Sequence, residues 1–192
     1  MKKTIILVLI LFFGNIAHST SQEPDILIID GETHYLFSNP LESYFRQSGK
    51  VCPKFNEKEI IANDEVLIEV TKDSSNWRGY VATWSIEGNE LFLLQIKDLS
   101  DQFFNLQTLF DISDDKKKIK ATWYSGQTKI VSDNVLQDVQ MEYGPVFEKE
   151  IIIYLESGVV KQIKLIDNTK KKIPSERELS LEELKKLKEL NF

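Results

Sequence analysis

Apolar and polar residues alternate most regularly between Arg78 and Lys97. In the first half of this segment, the apolar residues that recur at a period of two are Tyr80, Ala82, Trp84 and Ile86. In the second half, they are Phe92, Leu94 and Ile96. Glu87–Glu90 separates the halves and contains Gly88-Asn89, so the pattern predicts a β-hairpin that turns there. Leu91 and Leu93 are apolar on the opposite face, which predicts that another sheet layer or a helix covers it.

Shorter alternating segments predict three further hairpins. Their strand pairs are 26–29 with 34–37, 119–124 with 127–131, and 147–155 with 159–166. The first pair is joined by Asp30-Gly31, which accepts the positive φ of a tight turn, and the second is joined by Ser125-Gly126. Ile151–Leu155 is apolar on both faces, which is typical of a central strand. Val66–Val70 alternates as a further strand.

Helical signals in the first two thirds of the chain are short. Asn39 and Pro40 predict the N-cap and the first position of a helix over residues 41–46. Ser100 predicts the cap of a second helix that extends to Phe110. This second helix is a candidate cover for the hairpin described above.

The pattern changes again after Ile173-Pro174. Two Ser-x-x-Glu sequences, which begin at Ser175 and Ser180, each predict a capped start of a helix. The leucines that form an apolar stripe beyond them are Leu181, Leu184, Leu187 and Leu190. The stripe predicts an amphipathic C-terminal helix, which either packs on the protein's own sheet or is presented to a partner.

Together these elements predict an α+β fold in a single domain, built mainly from an antiparallel β-meander with short helices and a C-terminal helix. Gly79, Gly126 and Gly144 are candidate bends or bulges, so the meander is expected to form a curved sheet or a partial barrel. The predicted segments are a signal peptide over 1–19, a polar leader over 20–25, the β-rich domain over 26–167, and a basic linker with the C-terminal helix over 168–192.

The N-terminus carries the three parts of a secretory signal. Lys2 and Lys3 are followed by an uninterrupted apolar run over 5–13, and small residues follow at Ala17 and Ser19. The run is too short to span a bilayer core, which needs about 20 residues. The sequence therefore predicts export to the periplasm or the medium, with no stable membrane anchor after cleavage.

The charge balance is acidic. The chain has 24 basic and 30 acidic residues and a net charge of −6, and the loss of Lys2 and Lys3 with the signal peptide leaves 22 basic residues and a net charge of −8. This balance is poorly suited to nucleic acid or anionic lipid. It suits a basic protein partner, and a small ligand is the other candidate.

Most familiar catalytic and metal-binding patterns are absent from the sequence. Cys52 is the single cysteine, so the chain has no intramolecular disulfide, and His34 is the single histidine outside the predicted signal peptide. No serine stands in a Gly-x-Ser-x-Gly motif, and the eight glycines are isolated from one another. The sequence therefore predicts no catalytic residue, no metal site and no cofactor, and it favours a non-enzymatic role.

Arg78, Trp77 and Tyr80 are the candidate binding residues. Arg78 is one of three arginines in the chain, and its planar guanidinium suits a carboxylate or a phosphate of a ligand. The alternative, which we favour, is an internal ion pair or stacking on one of the two neighbouring aromatic rings. Trp84 and Trp123 lie in or beside predicted strands like Trp77, so core packing is predicted for all three tryptophans.

Three segments resemble a group of small bacterial proteins that have no established activity. The segments are Asn39–Phe45 (NPLESYF), Trp77–Trp84 (WRGYVATW) and Tyr143–Glu148 (YGPVFE), in this order. The resemblance extends over about residues 26–167 and implies one compact domain and a bacterial source. It implies no cofactor and no catalytic residue.

The leading hypothesis from the sequence is an exported, non-enzymatic binding or protein-interaction module. Two alternatives remain open. One is a small-molecule carrier with a pocket inside the curved sheet. The other is an envelope hydrolase that uses two carboxylates, which only the fold could bring together.

Overall fold

The computed structural model describes residues 22–50, 57–62, 65–70, 76–99, 101–112, 117–137, 145–170, 174–190 and 192, and it describes only the backbone of 57–62 and 65–70. The predicted signal peptide, Cys52, Ser100 and Gly144 lie outside these residues. Within them, no helix is long and apolar enough to cross a membrane.

The described residues are mostly β-structure with a few short helices. The strands are β1 Asp25–Ile29, β2 Glu32–Leu36, β3 Glu57–Ala62, β4 Glu65–Val70, β5 Tyr80–Glu87, β6 Glu90–Asp98, β7 Ile119–Lys120, β8 Gly126–Val131, β9 Val135–Gln137, β10 Val146–Phe147, β11 Lys149–Glu156, β12 Val159–Asp167 and β13 Ser175–Glu178. The helices are α1 Pro40–Ser48, α2 Leu106–Phe110, α3 Leu181–Leu184 and the 3-10 helix Leu187–Leu190.

Seven strands form a closed, barrel-like sheet. Their order is β12-β11-β8-β2-β1-β5-β6, and β6 pairs back to β12 through Glu90 and Val159. The predicted curved sheet is therefore confirmed, but a plain meander is wrong. β1 lies parallel to β5, and β8 lies between β2 and β11. Closure pairs strand edges that an open meander would leave exposed.

Three of the predicted hairpins are present, and one is wrong. β1–β2 turns at Asp30-Gly31, where both residues have positive φ (50° and 82°), and β5–β6 and β11–β12 are hairpins as well. By contrast, β7 pairs with β6, whereas β8 pairs with β11 and β2. The chain between β7 and β8 makes its own turn, in which Tyr124 N–H donates to the Ala121 carbonyl at 2.9 Å. Alternation of apolar and polar residues predicts that a segment is a strand, but it does not predict which strand pairs with it.

The β5–β6 hairpin has a different face pattern from the one predicted for β6. The pairing register shifts between Thr83 and Trp84, so that Leu93 is opposite Trp84 and Ile96 is opposite Ala82. Because this bulge adds one residue to β6, the buried face consists of Leu91, Leu93 and Ile96. Phe92 and Leu94 lie on the partly exposed face. The barrel interior itself covers the leucines for which a separate cover was predicted.

Helix α1 agrees with the prediction in its start and extends further. Pro40 is its first residue, and Gly49 ends it after Ser48 with a φ of 69°. Asn39 is the N-cap residue as predicted, although its side chain makes no capping hydrogen bond.

Helix α2 is shorter than the predicted helix over 100–110. Its cap is Asn105, whose side-chain oxygen accepts a hydrogen bond from Thr108 N–H at 3.0 Å. Upstream of this cap, Phe103 forms an isolated bridge with Lys97 instead of a helical turn. The residues just before the helix therefore pair with the backbone of β6 and are not helical.

The C-terminal segment adds a strand and only a short helix. Ser175 begins β13, which pairs with β12, so the first predicted helix start is wrong. At Ser180 the capping box with Glu183 is confirmed. Leu184 and Leu187 are buried in the core cluster, which agrees with a segment that packs on its own sheet. Of the two alternatives predicted for the leucine stripe, the structure therefore shows packing on the protein's own sheet and not presentation to a partner.

Aromatic rings from α1, α2 and the turn after β7 pack over the barrel interior. The rings of Tyr44 and Phe110 are 4.3 Å apart, and the ring of Trp123 lies 5.1 Å from each of them. Trp123 also lies 6.5 Å from Trp84 inside the barrel. The interior side chains with less than 2% exposure include Leu27, Leu36, Tyr80, Trp84, Leu91, Leu93, Ile96, Ile130, Ile151 and Ile153. Large side chains thus occupy the interior that a carrier would need as a pocket.

Gly158 is expected to tolerate no side chain. Its φ is 73°, and a Cβ atom there would lie 2.6 Å from the backbone oxygen of Ala121. We expect Gly158→Ala to lower the free energy of unfolding by about 2–4 kcal/mol, from backbone strain and from overpacking. Gly88→Ala is the control, because its φ is 61° but nothing lies within 4 Å of its Cβ position, and about 1 kcal/mol is expected. Urea unfolding measures both losses, and equal losses would contradict the close contact.

Candidate functional site

The three candidate binding residues lie in one turn that leads into β5. The backbone of this turn is closed by Asn76, whose carbonyl and side-chain oxygen each accept a hydrogen bond from Gly79 N–H at 3.1 Å. Gly79 has a φ of 77°, which glycine adopts without strain. Asn76 is buried, and its amide also donates to the Tyr80 carbonyl at 3.0 Å. The turn is therefore held by buried hydrogen bonds.

Arg78 makes an internal ion pair. Its Nη1 donates to Asp25 Oδ1 at 2.9 Å, and neither side chain has any exposed surface. Its Nη2 donates to the Glu23 carbonyl at 2.6 Å. The alternative that the sequence favoured for Arg78 is thus the observed geometry. A ligand carboxylate or phosphate would have to displace Asp25 to reach the guanidinium.

Asp25 is surrounded by donors from β5 as well as by Arg78. Its Oδ2 accepts a hydrogen bond from the Trp84 indole at 2.9 Å, and its Oδ1 accepts one from Ala82 N–H at 3.2 Å. Complete burial raises the pKa of Asp25, while the Arg78 guanidinium and these donors act against that rise. The hydrogen-bond donors around Asp25 favour its ionised carboxylate. This carboxylate is the counter-ion of the buried Arg78 guanidinium.

Tyr80 belongs to the same buried cluster. Its ring lies 5.1 Å from the Arg78 guanidinium carbon, and its hydroxyl donates to Glu42 Oε1 of α1 at 2.7 Å. Burial, and then the nearby Asp25 and Glu42 carboxylates, raise the pKa of Tyr80 well above its usual range. Tyr80 is thus a neutral donor that links β5 to α1.

Trp77 differs from its neighbours because its indole is exposed. The side chain is 63% exposed, whereas Arg78 and Tyr80 are buried. Its backbone N–H donates to the Gln22 side-chain oxygen at 3.2 Å, and Gln22 is itself buried. Core packing is therefore wrong for Trp77, although it is correct for Trp84. The turn presents a large aromatic ring to solvent from a fixed backbone.

No protein-family model, no curated protein and no solved structure matches this chain. The site must therefore be interpreted from its own geometry.

The end of β6 that pairs with the start of β5 carries charged residues and a second exposed ring, since Asp98 lies opposite Tyr80 and Lys97 opposite Val81. Glu23 accepts a hydrogen bond from Asn76, the residue before Trp77, at 3.2 Å. Lys97 donates to Asp101 at 2.7 Å, and this contact together with the nearby Glu23 carboxylate raises the pKa of Lys97. Phe103, which is 64% exposed, pairs with Lys97. We call these residues the Trp77 surface: Glu23, Trp77, Lys97, Asp101 and Phe103.

The sequence analysis missed the partners of Arg78. Asp25, which it placed in a polar leader, shares the period-two face of Leu27 and Ile29, and a carboxylate on an apolar face is a signal of a buried ion pair. Gln22 gave no such signal, because its contact with Trp77 joins residues that are 55 apart in the chain. Asn76 closes the turn through Gly79 and Tyr80, so an asparagine three residues before a glycine was a local signal that the analysis did not use.

The other chemical candidates in the described residues are His34, a metal site and the carboxylates of a depression beside Phe37. His34 is half-buried on β2, and burial lowers its pKa. Among the described residues, no group of three or more histidine, cysteine or acidic side chains could hold a metal ion. A depression of about 310 Å³ beside Phe37 contains one carboxylate, Glu150, whose partner is Lys129 at 3.6 Å. This arrangement offers no pair of free carboxylates for sugar hydrolysis.

Proposed function

We propose that this protein is an exported, non-enzymatic interaction module that binds a basic protein partner through the Trp77 surface. The observation that carries the proposal is the 63% exposure of Trp77 in a turn whose neighbouring residues are buried and hydrogen-bonded. A fixed turn loses little conformational entropy when a partner binds. Tryptophan is also among the residues that contribute most to interface affinity.

The chemistry of the surface supports a basic partner. The indole is the best aromatic platform for a lysine or arginine side chain. The Trp77 surface carries two carboxylates, those of Glu23 and Asp101, against the single ammonium of Lys97. The chain as a whole has a net charge of −6. Attraction of a basic partner and its cation–π contact would therefore act at the same place.

Affinity capture with matched variants tests this function. The bait is the protein as recovered from cells that express the full chain, and it is exposed to native envelope extract at low and moderate salt. We expect one basic protein to be retained by the wild type and by Tyr35→Ala, and its affinity for Trp77→Ala to fall at least tenfold. Tyr35 is the matched control because it is 62% exposed on a different strand. Equal capture by both variants would exclude the Trp77 surface.

The export part of the proposal rests on the leader pattern and has its own test. Gln22, Glu23 and Asp25 all contact the turn at Trp77 and Arg78. Cleavage beyond Gln22 would remove part of this cluster, so we expect the processed chain to begin before Gln22, with Thr20 as the predicted first residue. The intact mass of the protein from the periplasm or the medium measures this. An uncleaved chain in the cell extract would contradict export by this signal.

A further inference from the structure

A second surface depression lies at the opposite end of β1 and β5. It has a volume of about 410 Å³ and is bordered by the β1–β2 turn, the β5–β6 turn and Lys185 of the C-terminal segment. The two strands are parallel, so both end at this edge of the sheet. β5 begins beside the Trp77 turn and has eight residues, which separates the depression from that turn by roughly 25 Å. The volume is in the range of small-ligand sites.

The depression combines an apolar floor with charges of both signs. Its apolar residues are Ile28, Ile86 and Leu94. The charged residues at its border are Asp30, Glu87 and Lys185. A ligand ion of one sign would be attracted by the border charges of the opposite sign and repelled by the others. A ligand with both charges and an aliphatic part would match all three components.

The charged residues differ in how strongly they are already engaged. Glu87 accepts a hydrogen bond from Ser85 at 3.1 Å and pairs with Lys118, and these contacts lower the pKa of Glu87. Asp30 is exposed and has no ion-pair partner within the described part of the chain. Lys185 contacts Glu182 at 3.3 Å in an exposed pair, and such pairs are weak. Asp30 and Lys185 are therefore the residues available to a ligand.

We propose that this depression binds a small amphipathic zwitterion of the amino-acid class. The ligand ammonium lies beside Asp30 and Glu87, and the ligand carboxylate binds the ammonium group of Lys185. The aliphatic side chain of the ligand lies on Ile28 and Leu94. This site is separate from the Trp77 surface and does not depend on the function proposed for it.

A titration with three matched probes tests the site. The probes are L-leucine, isopentylamine, which lacks the carboxylate, and 4-methylpentanoate, which lacks the amine. Amide chemical shifts of the isotope-labelled protein report the position and strength of binding. We expect L-leucine to cause saturable shifts at Asp30, Gly31, Gly88 and Lys185, and each of the other two probes to bind at least tenfold more weakly. No saturable shift with L-leucine, or equal binding of isopentylamine, would overturn the proposal.

Two variants and a control assign the charges. Asp30→Asn keeps the turn, because asparagine tolerates the positive φ of 50° at this position, and Lys185→Met keeps the aliphatic stem. Each is expected to weaken L-leucine binding at least tenfold while the unfolding temperature is unchanged. The neighbouring exposed Lys186→Met is expected to have no effect. Unchanged binding in both site variants would overturn the assignment. Loss of partner capture in Trp77→Ala with normal leucine binding would separate the two sites.

Discussion

Replacement of Arg78 by methionine is expected to lower the free energy of unfolding by about 3–5 kcal/mol. The change leaves the Asp25 carboxylate buried without its cation, since both side chains of the pair have no exposed surface. It also removes the hydrogen bond to the Glu23 carbonyl. Chemical unfolding followed by tryptophan fluorescence measures the loss.

A surface ion pair is the control for this prediction. Arg177→Met removes a pair with Glu183 whose side chains are 46% and 43% exposed, so a loss of less than about 1 kcal/mol is expected. The double variant Arg78→Met, Asp25→Asn is expected to lose less free energy of unfolding than the two single variants lose together, because it leaves no unpaired buried charge. Additive losses in the double variant would contradict a coupled buried pair.

The Arg78→Met deficit is also expected to depend on pH. Without the guanidinium, burial raises the pKa of Asp25 further above its unfolded value. A carboxyl group with a raised folded-state pKa destabilises the fold at high pH, and this penalty is lost as the pH falls through the folded-state pKa. The difference in unfolding free energy from wild type should therefore be larger at about pH 7.5 than at about pH 4.5. A difference that grows toward acid would contradict this account.

Replacement of Leu93 by alanine is expected to lower the free energy of unfolding by about 2–5 kcal/mol, because the side chain is fully buried and the change leaves a cavity. Leu94→Ala is the matched control on the partly exposed face of β6, and a loss smaller by at least about 2 kcal/mol is expected. The pair tests the bulge directly. Simple alternation from Phe92 to Ile96 would place Leu94 inside the barrel, so a larger loss for Leu94→Ala would contradict the register.

Stability and binding are expected to respond differently at adjacent residues of the same turn. Trp77→Ala removes an exposed ring and should change the free energy of unfolding by no more than about 0.5 kcal/mol. Arg78→Met should reduce both stability and partner capture, because it loosens the turn that presents the indole. A Trp77→Ala variant that unfolds easily would show that the ring has a structural role instead.

The local elements followed from the sequence because they depend on neighbouring residues. Asp30-Gly31 adopts the positive φ angles of a tight turn, and the capping box at Ser180 needs only residues within one helical turn. The alternation along β5 likewise predicted the buried face that includes Trp84. The turn and the capping box are defined by interactions within a few residues, and the face of β5 by alternation along one strand.

Contacts between distant segments decided the rest. Closure of the barrel through Glu90 and Val159, the bulge opposite Trp84 and the pairing of β8 with β11 each depend on which strands meet in space. Contacts between distant segments also decided which residues of the candidate site are exposed. By composition Arg78 and Trp77 are both plausible ligand-binding residues, but Asp25, which is 53 residues from Arg78 in the chain, buries one of them, and the turn exposes the other. The sequence by itself determined most of the strands and the turns of three hairpins, whereas the tertiary structure decided which strands pair and which side chains face solvent, because burial is a property of the assembled barrel.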